Sequence, residues 1–437
     1  MNINRRIFLK QGALSFVAMG AGSFWGPQFL RQAAFAAELG SSSRQNKILI
    51  CIFQRGAVDG LSMVVPYGDP DYYANRQEIS LAAPSQNAGA NGVLDLDGYF
   101  GLHPALAPLL PLYRAGHLAP IQACGSPNNS RSHFTSQDLM ESGVDADLSI
   151  QEGWLNRLLS QCPEDAAKQS PSPFRAVSMT SVIPRSLQGP QDSMAIRDLD
   201  TFGMAGDIIV PMGTGSGTAD GFESMYSGAV DTVLHGAGRE SFDALSLLKK
   251  TRSAAYVPAN GAVYPDQAFG RNLRQIAQLI KADVGLQVAF AEMDGWDTHA
   301  NQGNAKGQLA ARLGTFSGAL AALHQDLGDR MSDVVVITMS EFGRTVRQNG
   351  NRGTDHGHGT CFFALGGSIK GGKVYGEWPT LAPDRLFEGR DLAITTDFRD
   401  IFGEICAQHF ALPMAGMAPL FPQYSVDQQR FRHFCTA

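Results

Sequence analysis

Three short apolar runs without polar alternation dominate the hydrophobic pattern of this chain. Lys47 to Phe53 (KILICIF), Leu286 to Met293 and Asp333 to Met339 (DVVVITM) each have strand length and are apolar at successive positions. A strand apolar on both faces is covered on both, the pattern of a central parallel strand between helices. Between the second and third runs, Leu309, Leu313, Phe316, Leu320, Leu323 and Leu327 recur at spacings of four and three. That stripe predicts an amphipathic helix, and strand, helix, strand predicts a βαβ unit. Similar reasoning predicts helices over 104–115, 132–142, 155–161, 242–253, 267–282 and 398–410 and a strand over 361–365. The expected fold class is α/β, three layers around a largely parallel central sheet.

The pattern weakens over about 186–238, which is rich in Gly, Ser, Asp and Met and contains GTGSGTADG at 213–221. This stretch reads as an insertion or cap over the sheet, since loops this long within a compact domain usually serve function.

Ahead of the first strand, Asn4-Arg5-Arg6-Ile7-Phe8-Leu9-Lys10 precedes a moderately apolar stretch and then Ala34-Phe35-Ala36. Basic start, apolar middle and small-x-small ending make a secretory signal, and the paired arginines make it similar to a twin-arginine signal. Gly20, Gly22, Gly26 and Pro27 interrupt the stretch, and no other segment approaches the roughly 18 consecutive apolar residues of a spanning helix. The expected organisation is a signal peptide over 1–36, cleaved near Ala36, a linker over 37–46 and an α/β domain over 47–437. The expected location is the periplasm or another exported compartment, with the twin-arginine export machinery as a partner and no stable membrane span after cleavage. Export in the folded state suits proteins that take up an ion first.

Composition narrows the function classes. With 437 residues, 44% hydrophobic and 17% charged, the chain is neither disordered nor a disulfide miniprotein. Its formal charge is −6 although residues 1–36 hold four basic residues and no acid. The remainder is therefore distinctly acidic, which excludes broad binding of nucleic acid or anionic lipid. Six cysteines form no CxxC or CxxCH, so no zinc ribbon, thioredoxin motif or c-type haem is indicated. Cys51 and Cys361 read as buried small hydrophobes.

Chemistry concentrates at the strand ends. Each apolar run is followed by a polar cluster: Gln54-Arg55-Gly56-Ala57-Val58-Asp59-Gly60, then Asp294-Gly295-Trp296-Asp297-Thr298-His299, then Ser340-Glu341-Phe342-Gly343-Arg344-Thr345. Loops at the carboxyl ends of parallel strands converge on one sheet edge, where ligands bind. A fourth cluster, Thr354-Asp355-His356-Gly357-His358-Gly359-Thr360, precedes the strand over 361–365. Asp59, Asp294 or Asp297, His299, Glu341, His356 and His358 form a mixed nitrogen and oxygen set. Zn²⁺ or Mn²⁺ suits such a set best, with Mg²⁺ and Ca²⁺ as the oxygen-preferring alternatives. A fifth cluster, Ser130-Arg131-Ser132-His133-Phe134, opens a helix. Ser132 there is either an N-cap or a nucleophile, Arg131 is suited to holding an anion's oxygens, and His133 to ligating a metal or moving a proton. Rival motifs fail: there is no GxSxG elbow, and Gly367 to Val374 lacks the Ser or Thr of a phosphate-binding P-loop.

Taken together, Phe53 to Gly60 with Val65-Pro66-Tyr67, Gly101-Leu102-His103-Pro104, Ser130 to Phe134, Asp294 to His299, Ser340 to Thr345 and Asp355 to Gly359 resemble the exported bacterial family catalogued as DUF1501. That family is similar to a distant branch of the alkaline phosphatase and sulfatase superfamily. The resemblance implies an alkaline-phosphatase-like fold and a metal-supported hydroxyl nucleophile acting on phosphate or sulfate esters. By position it implies Asp59 as a metal-binding acid, Ser132 or Ser130 as nucleophile, Asp294 or Asp297 with His299 as an acid–histidine pair, and His356 or His358 as a late metal histidine. Ser340-Glu341, with Arg344 nearby, departs from the superfamily's Asp-His, and no Cys or Ser is followed by x-Pro-x-Arg, so a formylglycine nucleophile is not expected. The expected function is a metal-dependent hydrolase or transferase acting on a phosphate or other anionic ester, small molecule or glycan. In it, Arg131 or Arg344 neutralises charge and His133 or His299 handles protons. The alternative is a catalytically inactive relative acting as an exported binding or assembly protein.

Overall fold

The computed structural model describes residues 47–85, 91–146, 149–162, 172–199 and 256–436. The signal segment, the linker, residues 200–238 of the glycine-rich stretch and the helix expected over 242–253 lie outside the described residues. No helix among the described residues is long and apolar enough to cross a membrane.

The strands, in chain order, are β1 (Ile48–Gln54), β2 (Val64–Val65), β3 (Leu94–Asp95), β4 (Gly101–Leu102), β5 (Leu118–Gly125) and β6 (Ala176–Ser178). They continue with β7 (Met194–Ala195), β8 (Val288–Met293), β9 (Val334–Met339), β10 (Thr360–Gly366) and β11 (Thr396–Asp397). Eight of them form one sheet in the order β11-β5-β10-β9-β1-β8-β6-β7, and β2-β4-β3 make a small antiparallel sheet. β1 lies between β9 and β8, parallel to both, with Leu49 opposite Val335 and Val288. The unit β8, helix Gln308–Leu327, β9 exists as a connection, but it passes over β1, so its two strands are not neighbours.

Burial explains why β1 takes the middle. Ile48, Ile50 and Ile52 pack on one face with Leu273 and Ile276 of the helix Ala268–Lys281 and Leu313, Phe316 and Leu320 of the helix Gln308–Leu327. Leu49, Cys51 and Phe53 pack on the other with Leu155 and Leu158 of the helix Trp154–Gln161 and Ile401 and Phe402 of the helix Phe398–Gln408. A strand side chain every second residue on each face makes this a three-layer α/β/α arrangement. Cys51 and Cys361 are fully buried, and neither is in a disulfide.

β10 runs antiparallel to both β9 and β5, whereas the other seven strands share one direction. Its amino-terminal end therefore lies at the edge where β1, β8 and β9 finish. This reversal brings residues 354–359 to the polar clusters; a parallel β10 would have carried them to the opposite edge.

Two local expectations change. The segment 104–115 is a 3₁₀ turn, Pro104–Leu109, followed by the short helix Leu110–Arg114, because Pro108 removes a backbone donor. The start of the 186–238 stretch joins the sheet: β7 pairs in parallel with β6, and Ser186 donates through N and Oγ to Glu141 Oε2 at 2.9 and 3.0 Å.

His409 gives the core an acid sensitivity. It is 3% exposed, its Nε2 faces the Ile48 carbonyl at 3.1 Å and its Nδ1 the Ser368 hydroxyl at 3.1 Å. Burial, with Lys47 adding, lowers its pKa to about 4. Between about pH 6.5 and 4 the unfolded chain binds a proton there and the folded chain does not, so stability falls as pH falls through that window. His409→Gln is expected to flatten the decline in urea midpoint between pH 7 and pH 4.5; an unchanged slope would assign the acid sensitivity to other groups.

Candidate metal centre

Four loops meet at the edge formed by the carboxyl ends of β1, β8 and β9 and the amino end of β10. His133 opens the helix His133–Ser142, Asp297 and His299 follow β8, Glu341 follows β9, and His356 precedes β10. The approach is close enough to require glycines. Gly56 has φ +111°, and a Cβ there would stand 2.8 Å from the Asp297 backbone nitrogen. A Cβ on Gly357 would stand 2.3 Å from the Arg344 carbonyl carbon.

His133, Asp297 and His356 offer one donor atom each within a common small sphere, a group able to hold a metal ion. The Nε2 atoms of His133 and His356 are 3.0 Å apart, and the Asp297 carboxylate lies 3.3 Å from His356 Nε2 and 3.5 Å from His133 Nε2. His299 Nε2 is 3.0 Å from both His356 Nε2 and Asp297 Oδ1. Bonds of about 2.0–2.2 Å from one ion place adjacent donors roughly 3.0–3.5 Å apart in octahedral or tetrahedral geometry, so the spacings among His133, Asp297 and His356 fit a single ion, with His299 beside that group.

The outer nitrogens decide the tautomers. His133 Nδ1 faces Glu341 Oε1 at 2.8 Å, His299 Nδ1 faces Asp355 Oδ1 at 3.0 Å, and His356 Nδ1 faces the Arg131 carbonyl at 2.9 Å. All three partners are acceptors, so each Nδ1 carries the proton and each Nε2 turns a lone pair inward. Lone pairs facing each other at 3.0 Å beside a carboxylate repel unless a proton or a cation lies among them. Burial, partly offset by the Arg131 carbonyl, lowers the His356 pKa and favours its neutral, ligating form. Burial alone would raise Asp297, but Arg344, His299 and His356 outweigh it and hold the carboxyl below its ordinary range.

Glu341 is in the cluster as the residue that orients His133. It is 1% exposed and its Oε1 accepts from Gly56 N, Gln137 Nε2 and His133 Nδ1, each at 2.8 Å. The Glu341 bond is the main cause of a raised His133 pKa. Glu341→Gln is expected to weaken ion binding by about 10- to 100-fold. Ion uptake should also begin at lower pH than in the parent, because His133 loses the partner that favours its protonated form. Chelator competition across pH 5–8 measures both, and an unchanged profile would remove Glu341 from the centre.

The other expected residues lie apart from the group. Asp59 is 1% exposed, its Oδ2 paired with Arg76 Nη1 at 2.7 Å and accepting from Gln302 Nε2 at 2.6 Å, while its buried Oδ1 meets no donor among the described residues. Asp294 is exposed and lines an open groove with Glu292, Phe269 and Arg312; Asp297 is the acid of that loop that reaches the histidines. His358 is buried, stacks on Phe387 at 4.0 Å between ring centroids, and is lowered to about 4 by burial. Arg131 is paired with Glu388 at 2.6 Å and Asp391 at 2.7 Å, so its carbonyl and not its guanidinium serves the centre. Arg344, 1% exposed, donates to the Asp297 carboxylate and to Thr354, which makes it a support for a ligand. Ser132 is exposed at the N-cap position of its helix and its side chain makes no capping bond there. Arg76, Gln137 and Gln302 support the centre from outside the polar clusters, and Thr354 opens the fourth cluster without its residue type signalling a role.

A family model described as a protein of unknown function (DUF1501) matches residues 119–416, more than half of the chain. The chain belongs to the DUF1501 family. The segment that matches this DUF1501 description contains His133, Asp297, His299, Glu341 and His356 and begins after Asp59. No curated protein sequence matches the chain. Among solved structures, the crystal structure of PsFucS1 sulfatase from Pseudoalteromonas sp. is similar at 11% sequence identity and a TM-score of 0.37, over 89% of this chain and 72% of that one.

Proposed function

We propose that this chain is a metal-dependent hydrolase or transferase of an anionic ester, phosphate or sulfate being the class that suits it. The observation that carries the reading is the convergence of His133 and His356 Nε2 on the Asp297 carboxylate, each imidazole fixed from behind by an acceptor. A divalent cation, with Zn²⁺ or Mn²⁺ favoured by the mixed donor set, supplies Lewis-acid chemistry that polarises an ester oxygen. His133, His356 and Asp297 hold it, and Arg344 keeps Asp297 ionised and aimed. His299, 44% exposed at its side chain and backed by Asp355, is placed to ligate as well or to pass a proton to a leaving group. The exposed Ser132 hydroxyl, next in sequence to His133, is the candidate nucleophile. The reading extends to export, on the strength of the Asn4 to Lys10 pattern, with the twin-arginine machinery as partner.

A second reading, an ion-bearing binding protein without turnover, is favoured by one observation: both Arg131 and Arg344 are committed to carboxylates, which leaves neutralisation of an anionic substrate to the ion and the histidines. Elemental analysis of the purified mature chain, together with hydrolysis of nitrophenyl phosphate and sulfate before and after chelation, separates the readings. About one ion per chain with chelator-sensitive hydrolysis lost in Ser132→Ala supports the enzyme. An ion without turnover supports the binding protein, and no ion defeats both.

A further inference from the structure

Below the centre lies a buried hydrogen-bonded chain that begins at Asp59. Arg76, 0% exposed, donates through Nη1 to Asp59 Oδ2 at 2.7 Å and to Ser62 Oγ at 3.0 Å. Its remaining donors hold backbone: Nε reaches the Val346 carbonyl at 2.9 Å and Nη2 the Thr345 carbonyl at 3.0 Å. Gln302, also 0% exposed, donates to Asp59 Oδ2 at 2.6 Å. Since an ionised carboxylate only accepts, the amide nitrogen must face Asp59, and the amide oxygen is left to take the hydroxyls of Thr298 at 2.7 Å and Thr354 at 3.0 Å. Thr354 Oγ1 in turn accepts from Arg344 Nε at 3.1 Å, and Thr354 N bonds the Thr298 carbonyl at 3.1 Å.

The three anchored segments are those that carry the centre. Thr298 separates Asp297 from His299, Thr354 stands two residues before His356, and Thr345 follows Arg344. We infer that Asp59, Arg76 and Gln302 are positioning residues that fix the ligand loops 297–299 and 354–356 and the Arg344 segment in register, with Asp59 acting through this chain and not as a ligand. The inference rests on the metal-centre reading above. Buried ionic groups are costly as a source of stability alone, and a geometric role of this kind is one reason to retain them.

The test compares the parent with Gln302→Ala, Thr354→Val, Thr354→Ser and Asp59→Asn. Two quantities are read: Zn²⁺ affinity by competition with a chromophoric chelator, and amide hydrogen exchange of residues 297–299 and 354–356 in the ion-free chain. Thr354→Val changes shape least and is the variant that guards against misfolding. Gln302→Ala and Thr354→Val are expected to weaken Zn²⁺ by about 10- to 100-fold and to speed exchange in both loops, with Thr354→Ser close to the parent. Parent-like affinity and exchange in Gln302→Ala and Thr354→Val would overturn the inference, as would loss of Zn²⁺ in Asp59→Asn with both loops still protected, which would make Asp59 a ligand. If the parent takes up no Zn²⁺ while exchange still rises in the variants, the positioning role stands and the metal-centre reading falls.

Discussion

Replacing His356 with alanine is expected to lower ion affinity by more than about 100-fold, so that a chain purified with an ion becomes one purified without it. The estimate follows from position: loss of an outer partner of a ligand typically costs about 10- to 100-fold, and His356 is itself the donor that meets both other histidines at 3.0 Å. The substitution removes a half-buried ring, so the fold should survive, and far-ultraviolet circular dichroism should match the parent. Elemental analysis after desalting is the measurement. Asp294→Ala and His358→Gln make the comparison decisive, because the sequence alone ranks them beside His356 and the structure sets them apart. Both are expected to retain the ion, and a chain that loses it equally in all three would mean that the donors are not those that converge here.

Arg76→Met carries the largest expected effect on stability. Arg76 is 0% exposed and Asp59 1%, and the methionine would leave the Asp59 carboxylate with only the neutral donors Gln302 and Ser62 beside it. Burial alone raises the Asp59 carboxyl, and Arg76 followed by Ser62 and Gln302 reverses this and holds it below its ordinary range. Removing one partner of such a pair costs about 3–5 kcal/mol, because the other charge is left uncompensated away from water. The urea midpoint of the main transition reads the effect. The double substitution Asp59→Asn with Arg76→Met is expected to recover a large part of the loss, since no buried charge is then unpaired. A single-variant cost below about 1 kcal/mol would mean that water reaches this pair in solution.

How much of this the sequence carried depends on the kind of signal. KILICIF is apolar at every position from Ile48 to Phe53, and β1 lies in the middle of the sheet with helices on both faces. The leucine stripe from Leu309 to Leu327 is a helix of the described length. β5 was not legible, because Pro120 and Gln122 interrupt its apolar run and Pro120 offers no ladder donor. The clusters around His133, Asp297, Glu341 and His356 stood out because polar residues after buried strands are exceptions to the local pattern. Within those clusters Asp59 and Asp297, or His356 and His358, looked alike, since composition does not say which side chain a neighbouring loop encloses.

The sequence by itself determined the α/β class, the layered core and the short list of stretches able to supply nitrogen and oxygen donors, because hydrophobic period and polar interruption are local properties of the chain. Only the tertiary structure decided which of those donors meet. The reversed direction of β10 carries His356 to the edge where β8 delivers Asp297, the Arg76 ion pair takes Asp59 inward, and Phe387 covers His358. Each of these outcomes depends on contacts between residues far apart in sequence, and strand direction and side-chain enclosure leave no local trace.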